Sequence, residues 1–343
     1  MTKKIFFSVF LVLIIVKFAV ADPSISIKIP DPLGPVVSIK TLNENNKTIE
    51  ERIYDSKGNL LRSTVFDEEG AVYEENEYAY NKNNTKSKHI FRDQAFTGAL
   101  IIKYGENGEE LEVTDSRQGN WIGNAPFRKW INKYNSNGIM TAQIGKFKNG
   151  DIFEKTSYVY KNNFLSEERM TKKGKAGQHL RKYERDPKGN AIKVTITNFD
   201  GTLDKVETFE YDAQGHKIEW VENAYYHGSP RGITIHRFDA SGNKIARIYK
   251  STLGAELEKR IYEYDDRGNL ISEDMWGESG NHAGAFKYKY DDKGNLIWQG
   301  ETNGNSPGSG VSYEYEYDKY GNWIKKAESD SGSIETRIIQ YGK

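Results

Sequence analysis

The sequence predicts an all-β chain, a repetitive antiparallel β-hairpin meander of about 22 strands that curls or spirals as a sheet. Three observations predict it. One turn phrase recurs about every 26 residues, the segments flanking it alternate apolar and polar residues, and the chain holds 22 tyrosines with little helix-period patterning.

The phrase is Tyr-Asp-x-x-Gly-Asn. It runs from Tyr264 to Asn269 and recurs from Tyr290 and Tyr317. Earlier copies start at Tyr54, Tyr211 and Phe238, and weaker ones at Tyr80, Tyr104, Tyr134, Tyr160 and Arg185. From Tyr54 the spacings are 26, 24, 30, 26, 25, 26, 27, 26, 26 and 27, and Tyr341 follows 24 residues after Tyr317. About eleven units at one period mark a repeat architecture, which overrides the two domains that length alone suggests.

Each residue of the phrase has a turn role. Asp265, Asp291 and Asp318 stand at the first corner, where a carboxylate accepts a hydrogen bond from the backbone two residues on. Gly268, Gly294 and Gly321 suit a left-handed conformation closed to most side chains. Together they describe a type I turn with a G1 bulge. A calcium loop would need ligands at alternating positions and a terminal glutamate, and both are absent.

The flanks read as strands. Val311, Tyr313, Tyr315 and Tyr317 share one face, and Ser312, Glu314 and Glu316 the other. The turn would pair Tyr290 with Leu296 and Tyr317 with Trp323. A second apolar series lies three residues after the glycine: Leu61, Leu111, Ile192, Ile218, Ile245, Ile271, Ile297 and Ile324. It is expected on the face opposite the tyrosines. Half a period after each phrase comes a looser turn of variable length, so one sheet edge is uniform and the other carries variable loops. Units from Tyr80 to Tyr160 lose the aspartate, which predicts that residues 80–175 are the weaker half. A sheet closed end to end would instead be protected evenly.

The chain opens on an export signal, residues 1–21: Lys3 and Lys4, an apolar run, then Ala19-Val20-Ala21 with cleavage expected after Ala21. A secreted or periplasmic location follows. No later stretch is apolar enough for a membrane span. Losing Lys3, Lys4 and Lys17 takes the 49 basic residues to 46 against 49 acidic, which speaks against nucleic acid as a partner. The chain has no cysteine, so it has neither disulfides nor thiolate metal sites. Residues 22–50, rich in proline, read as an arm or edge strand, with Ser26–Ile29 able to cap the first sheet edge. Residues 51–343 form the repeat domain.

On these residues the chain resembles the YD repeats of Rhs and teneurin-type proteins, from Tyr54 to Tyr341 and most specifically from Tyr211 to Ile324. The resemblance implies a spiralling antiparallel sheet, an exported life and carbohydrate binding. In longer family members the sheet encloses a toxic C-terminal domain. This chain departs in ending soon after its last repeat, and no cargo domain is expected. Residues 104–153, with Tyr134–Gly138 and Lys148-Asn149-Gly150, are also similar to the short Asn-Gly hairpins of the MORN-like YwqK family.

Catalysis needs unlike groups converging once, whereas a repeat multiplies one group. The six histidines fall at unrelated phases, and no His-Glu-x-x-His, Gly-x-Ser-x-Gly or phosphate-cradling loop appears. No enzyme activity, metal or cofactor is expected. Among the six tryptophans, Trp276 and Trp298 are the candidates for stacking on a sugar ring, being near the variable loops and outside the repeated apolar positions. Two functions remain. One is a binding or adhesion module for a glycan or cell-surface protein. The other is a structural or accessory component of an Rhs-like toxin system or YwqK-like system that packs against a protein partner.

The turn assignment is tested by Gly294→Val. A β-branched residue at a left-handed position is expected to cost more than about 1 kcal/mol, and thus at least about 1–2 °C of melting temperature in a chain of this length. An unchanged melting temperature would refute the assignment.

Overall fold

A computed structural model describes residues 32–96, 98–117, 128–302 and 309–342. The signal segment 1–21 with Ala21, the segment Ser26–Ile29, and Trp121 lie outside the described residues. The described chain is all-β apart from one 3-10 turn, Glu278–Gly280.

The strands run in sequence. The first six are β1 (Val36–Leu42), β2 (Thr48–Tyr54), β3 (Leu60–Phe66), β4 (Val72–Tyr80), β5 (Lys86–Asp93) and β6 (Leu100–Tyr104). Next come β7 (Glu110–Asp115), β8 (Arg128–Tyr134), β9 (Met140–Phe147), β10 (Ile152–Lys161), β11 (Phe164–Lys172) and β12 (His179–Arg185). Then follow β13 (Ala191–Thr197), β14 (Leu203–Tyr211), β15 (Lys217–Tyr226), β16 (Ser229–Phe238), β17 (Lys244–Lys250) and β18 (Glu256–Tyr264). The last are β19 (Leu270–Trp276), β20 (His282–Tyr290), β21 (Leu296–Thr302), β22 (Gly310–Tyr317), β23 (Trp323–Glu328) and β24 (Ile334–Tyr341). Each pairs antiparallel with the next, and β24 pairs with β1, so 24 strands close into one barrel.

The two strands beyond the expected 22 are β1 and β24, which flank the eleven hairpins from β2 to β23. They form a twelfth hairpin without a covalent turn. Tyr341 pairs with Val36 as Tyr317 pairs with Trp323. Gly342 donates its N–H to the Pro35 carbonyl at 2.8 Å, as Asp318 donates to Asn322 at 2.9 Å. Asn322 fastens this seam, accepting from Leu33 N–H at 2.6 Å and donating Nδ2 to the Leu33 carbonyl at 2.7 Å. Part of the segment expected as an arm or edge is therefore sheet with partners on both sides, and the boundary placed at residue 50 runs through β2.

The phrase folds as its residues require. Gly268, Gly294 and Gly321 have φ of 76, 84 and 90°. Asp265 Oδ1 accepts from the N–H of Arg267 at 3.0 Å and of Asn269 at 2.8 Å, and its Oδ2 accepts from Asn269 Nδ2 at 2.9 Å. The final Asn of the phrase thus braces the Asp. Asp291 accepts from Lys293 and Asn295 in the same way, and Asp318 from Tyr320 and Asn322.

Of the units that lost the aspartate, those of Tyr80, Tyr104 and Tyr134 keep the turn. Asn81 and Asn135 accept the same two backbone bonds through Oδ1, and Asn84 takes the left-handed position at φ 63°. Asn162 and Asn163 close a two-residue turn with φ of 50 and 66°. The looser rim also contains phrase-like turns, at Asn43–Lys47, Asp67–Ala71, Asn198–Thr202 and Ser251–Ala255.

The expected pairs Tyr290–Leu296 and Tyr317–Trp323 are present. The second apolar series occupies irregular positions of the ladder. Each member is the extra residue of a β-bulge: Ile271 stands between the pairs Tyr264–Leu270 and Glu263–Ser272, and Ile297 between Tyr290–Leu296 and Lys289–Trp298. A bulge bends and twists its strand, and one per hairpin at the same rim curves the whole sheet.

Between bulges the two faces alternate cleanly. One buries large side chains, including Ile39, Tyr54, Val194, Tyr262, Glu273 and Tyr313. The other buries Thr64, Ala246, Ile248, Ser272 and Ala285. The substantial contacts of each strand are with its sheet neighbours, so no second layer accounts for the difference. On a closed sheet the concave side chains converge and the convex ones spread, which makes the first face the inner one. By strand spacing and tilt, 24 strands enclose a perimeter of about 150 Å.

Tyrosine hydroxyls on the inner face stitch several hairpins to the one before, although Phe238 has no hydroxyl and the buried Tyr290 hydroxyl makes no hydrogen bond. Tyr80 donates to the Leu60 carbonyl at 3.0 Å, Tyr160 to Met140 at 2.8 Å, Tyr211 to Ala191 at 3.0 Å and Tyr264 to Lys244 at 2.9 Å. Where the unit has Arg185 in place of tyrosine, its Nε donates to the Leu165 carbonyl at 3.0 Å. Tyr317 and Tyr341 instead reach the turn carboxylates of Asp291 and Asp318.

Two predictions follow from the turns and the seam. Hydrogen bonds from Asn59 and Asn190 hold the Asp55 and Asp186 carboxyls below their ordinary 3.8. A depressed folded pKa gives stability that is present above 3.8 and lost as pH falls through the folded value. The melting temperature should therefore hold down to about pH 5 and drop below about pH 4, with a smaller drop in an Asn59→Ala/Asn190→Ala double variant. An equal drop in that variant would remove the turns as the cause. In hydrogen exchange, the amides pairing β1 with β24 should be as slow as those pairing β17 with β18. Fast exchange confined to the seam would mean an open sheet.

Candidate functional site

A serine, an aspartate, a lysine and a histidine converge beside a tryptophan on the outer face, at the variable rim where β19 passes into β20. Alternation along β19 places Ser272, Asp274 and Trp276 on that face. Register brings Lys287 opposite Ser272 and His282 opposite Trp276, with Lys259 of β18 on the other side of Trp276. The His282 ring packs edge-on to the Trp276 indole with centroids 5.1 Å apart, and Lys259 Nζ sits 5.5 Å from the indole centroid.

Asp274 is the hub. It accepts from Ser272 Oγ at 2.5 Å, Lys287 Nζ at 3.1 Å and His282 Nε2 at 3.4 Å. Partial burial pushes its carboxyl up, but the Ser272, Lys287 and His282 contacts together outweigh this and hold it below the usual range. Lys287 Nζ also donates to Ser272 Oγ at 2.6 Å. A serine beside a lysine invites a nucleophile reading, and the geometry opposes it. Ser272 is 1% exposed and its hydroxyl donates to Asp274, so it faces no open space that a substrate could enter.

The two candidate tryptophans share the outer face but not a site. Trp276 faces His282, whereas Trp298 pairs with Lys289, seven residues away along β20 or about 23 Å. The Trp298 ring covers Gly300 and Gly310, where an added Cβ would meet it at 2.6 Å, and Lys289 Nζ lies 5.4 Å from its centroid. It packs over bare backbone. Trp220 and Trp323 lie on the inner face, Trp220 stacked on His236 at 4.4 Å and Trp323 beneath Arg337. The turn residues Asp265, Gly268, Asp291, Gly294, Asp318 and Gly321 all lie at the opposite, uniform rim.

Sequence reading singled out Trp276 and missed Ser272, Asp274, His282 and Lys287. Alternation alone groups the β19 residues, but joining them to Lys287 and His282 requires the register, which a bulge at Met275/Trp276 shifts by one. Among the described residues no group of His, Asp and Glu could hold a metal ion, and no helix is long and apolar enough to cross a membrane.

No family model matches the chain, and no curated protein does. Solved structures similar to it include the TcdB2-TccC3-TEV crystal structure, at 12% identity and a TM-score of 0.26 over 85% of this chain and 19% of that one. The Tc holotoxin pore of Photorhabdus luminescens gives 12% identity and 0.26, over 86% and 19%. A porin-like protein from Bacteroides uniformis gives 8% identity and 0.30, over 90% and 98%. The chain spans about a fifth of the length of the Tc toxin chains it matches. Similarity at this level assigns no family.

Proposed function

We propose that this chain is an exported, non-catalytic binding module of the YD-repeat kind, and that it holds a carbohydrate at the Trp276 cluster. The observation that carries the reading is the half-buried Trp276 ring beside Asp274, His282, Lys287 and Lys259. A sugar presents an apolar C–H face that suits an indole and a rim of hydroxyls that suits paired donors and acceptors. The buried Ser272 supports binding over turnover. A lipid-facing barrel needs an apolar outer band, whereas here Lys40, Glu51, Arg62, Glu77, Arg92 and Lys103 lie on the outer face. That composition supports an outer face turned to water.

A second reading, a protein partner at the same rim, is favoured by Leu253 and Tyr226. They stand on the two preceding rim turns, 95% and 61% exposed.

The mature protein screened on a glycan array separates the two. Under the carbohydrate reading Trp276→Ala weakens the best glycan hit at least about tenfold, the loss of roughly 1.4 kcal/mol of stacking, while Trp298→Ala leaves it unchanged. Absence of any glycan hit, with capture of a cell-surface protein abolished by Leu253→Asp, would replace it with the second reading.

A further inference from the structure

On the inner face at the seam, two polar groups stand opposite each other without partners. Thr41 of β1 is 3% exposed and its Oγ1 makes no hydrogen bond. Arg337 of β24 is its register partner, and the Arg337 Nε is also buried and unbonded. The guanidinium packs on Trp323, 3.4 Å from the ring centroid. Desolvation, helped by the neighbouring Arg52 charge, lowers Arg337 to about 10.

The carboxylates whose charge reaches Arg337 are both engaged elsewhere. Glu50 is held by Arg52 at 2.7 Å and Glu335 by Lys326 at 3.0 Å. No ion pair to Arg337 occurs among the described residues. An unpaired, partly desolvated guanidinium beside a second guanidinium is costly, and an anion relieves both terms.

We infer that the seam contains a binding site for a single carboxylate, formed by Arg337 and Thr41 with Trp323 as its wall. A planar monoanion matches the guanidinium fork and the one unpaired charge. A dianion such as phosphate would be repelled by Glu50 and Glu335 on either side. The site lies across β24 and β1, so an occupant ties the non-covalent hairpin together. It is on the inner face and is independent of the Trp276 reading.

The test uses the mature protein labelled with 5-fluorotryptophan, with the Trp323 line assigned by Trp323→Phe. N-acetylglycine, its amide and inorganic phosphate are each titrated to about 50 mM, a range that reveals millimolar sites. N-acetylglycine should shift the Trp323 line saturably and raise the melting temperature, the amide should do neither, and phosphate should bind at least about tenfold more weakly. Arg337→Gln should abolish the shift, and Arg337→Lys should weaken it. An absent or unsaturable shift, an equal response to the amide, or an unchanged response in Arg337→Gln would each overturn the proposal. The comparison of acid with amide decides the matter in the unaltered protein even if the variants do not fold.

Discussion

The bond from a phrase side chain to the preceding hairpin is the interaction that ties neighbouring units of this barrel together. In this single-layer sheet no second layer sets the distance between hairpins. Here the side chain that ends one hairpin donates to a backbone carbonyl at the start of the strand after the previous turn, as from Tyr211 to Ala191 and from Tyr264 to Lys244. Each such bond contributes about 1 kcal/mol net. Its larger effect is geometric, because where it forms it ties one unit's turn to its predecessor. Arg185 makes the same bond with a different donor.

Closure imposes the second constraint. Turn bonds and one bulge per hairpin bend the sheet by a similar amount at each step, so the first and last strands meet in register. At the meeting point Tyr341, Gly342, Pro35 and Val36 reproduce the bonds of an ordinary turn without its covalent link. Asn322, whose equivalents Asn269 and Asn190 brace their own aspartates, turns its side-chain donors to Leu33 and Tyr341 instead. One residue of the repeat is thereby diverted from holding a turn to holding the ring.

Chemistry appears where repetition lapses. At regular positions the carboxylates are engaged by turn amides or cross-strand cations, as Asp265 and Glu273 illustrate. The Trp276 cluster sits beside the irregular connection containing the 3-10 turn, and the Arg337 group lies at the non-covalent hairpin.

Sequence alone determined the strand content, the turn type, the left-handed glycines and the pairing of Tyr290 with Leu296 and Tyr317 with Trp323, because each depends on residues within about ten positions of one another. It also marked Trp276. It did not reveal that Leu61, Ile271 and Ile297 are bulge residues, since bulge and ladder positions have the same apolar composition. Nor did it show that Asn81 and Asn135 keep the turns of units that lost Asp; an amide oxygen accepts the same two backbone bonds as a carboxylate. Tertiary structure decided what depends on accumulated curvature: that twelve hairpins complete a ring, that β1 belongs beside β24, and that Ser272, Asp274, His282 and Lys287 meet around one tryptophan. Such contacts between residues far apart in the chain are set by the sum of many small bends, and no single segment of the sequence carries that sum.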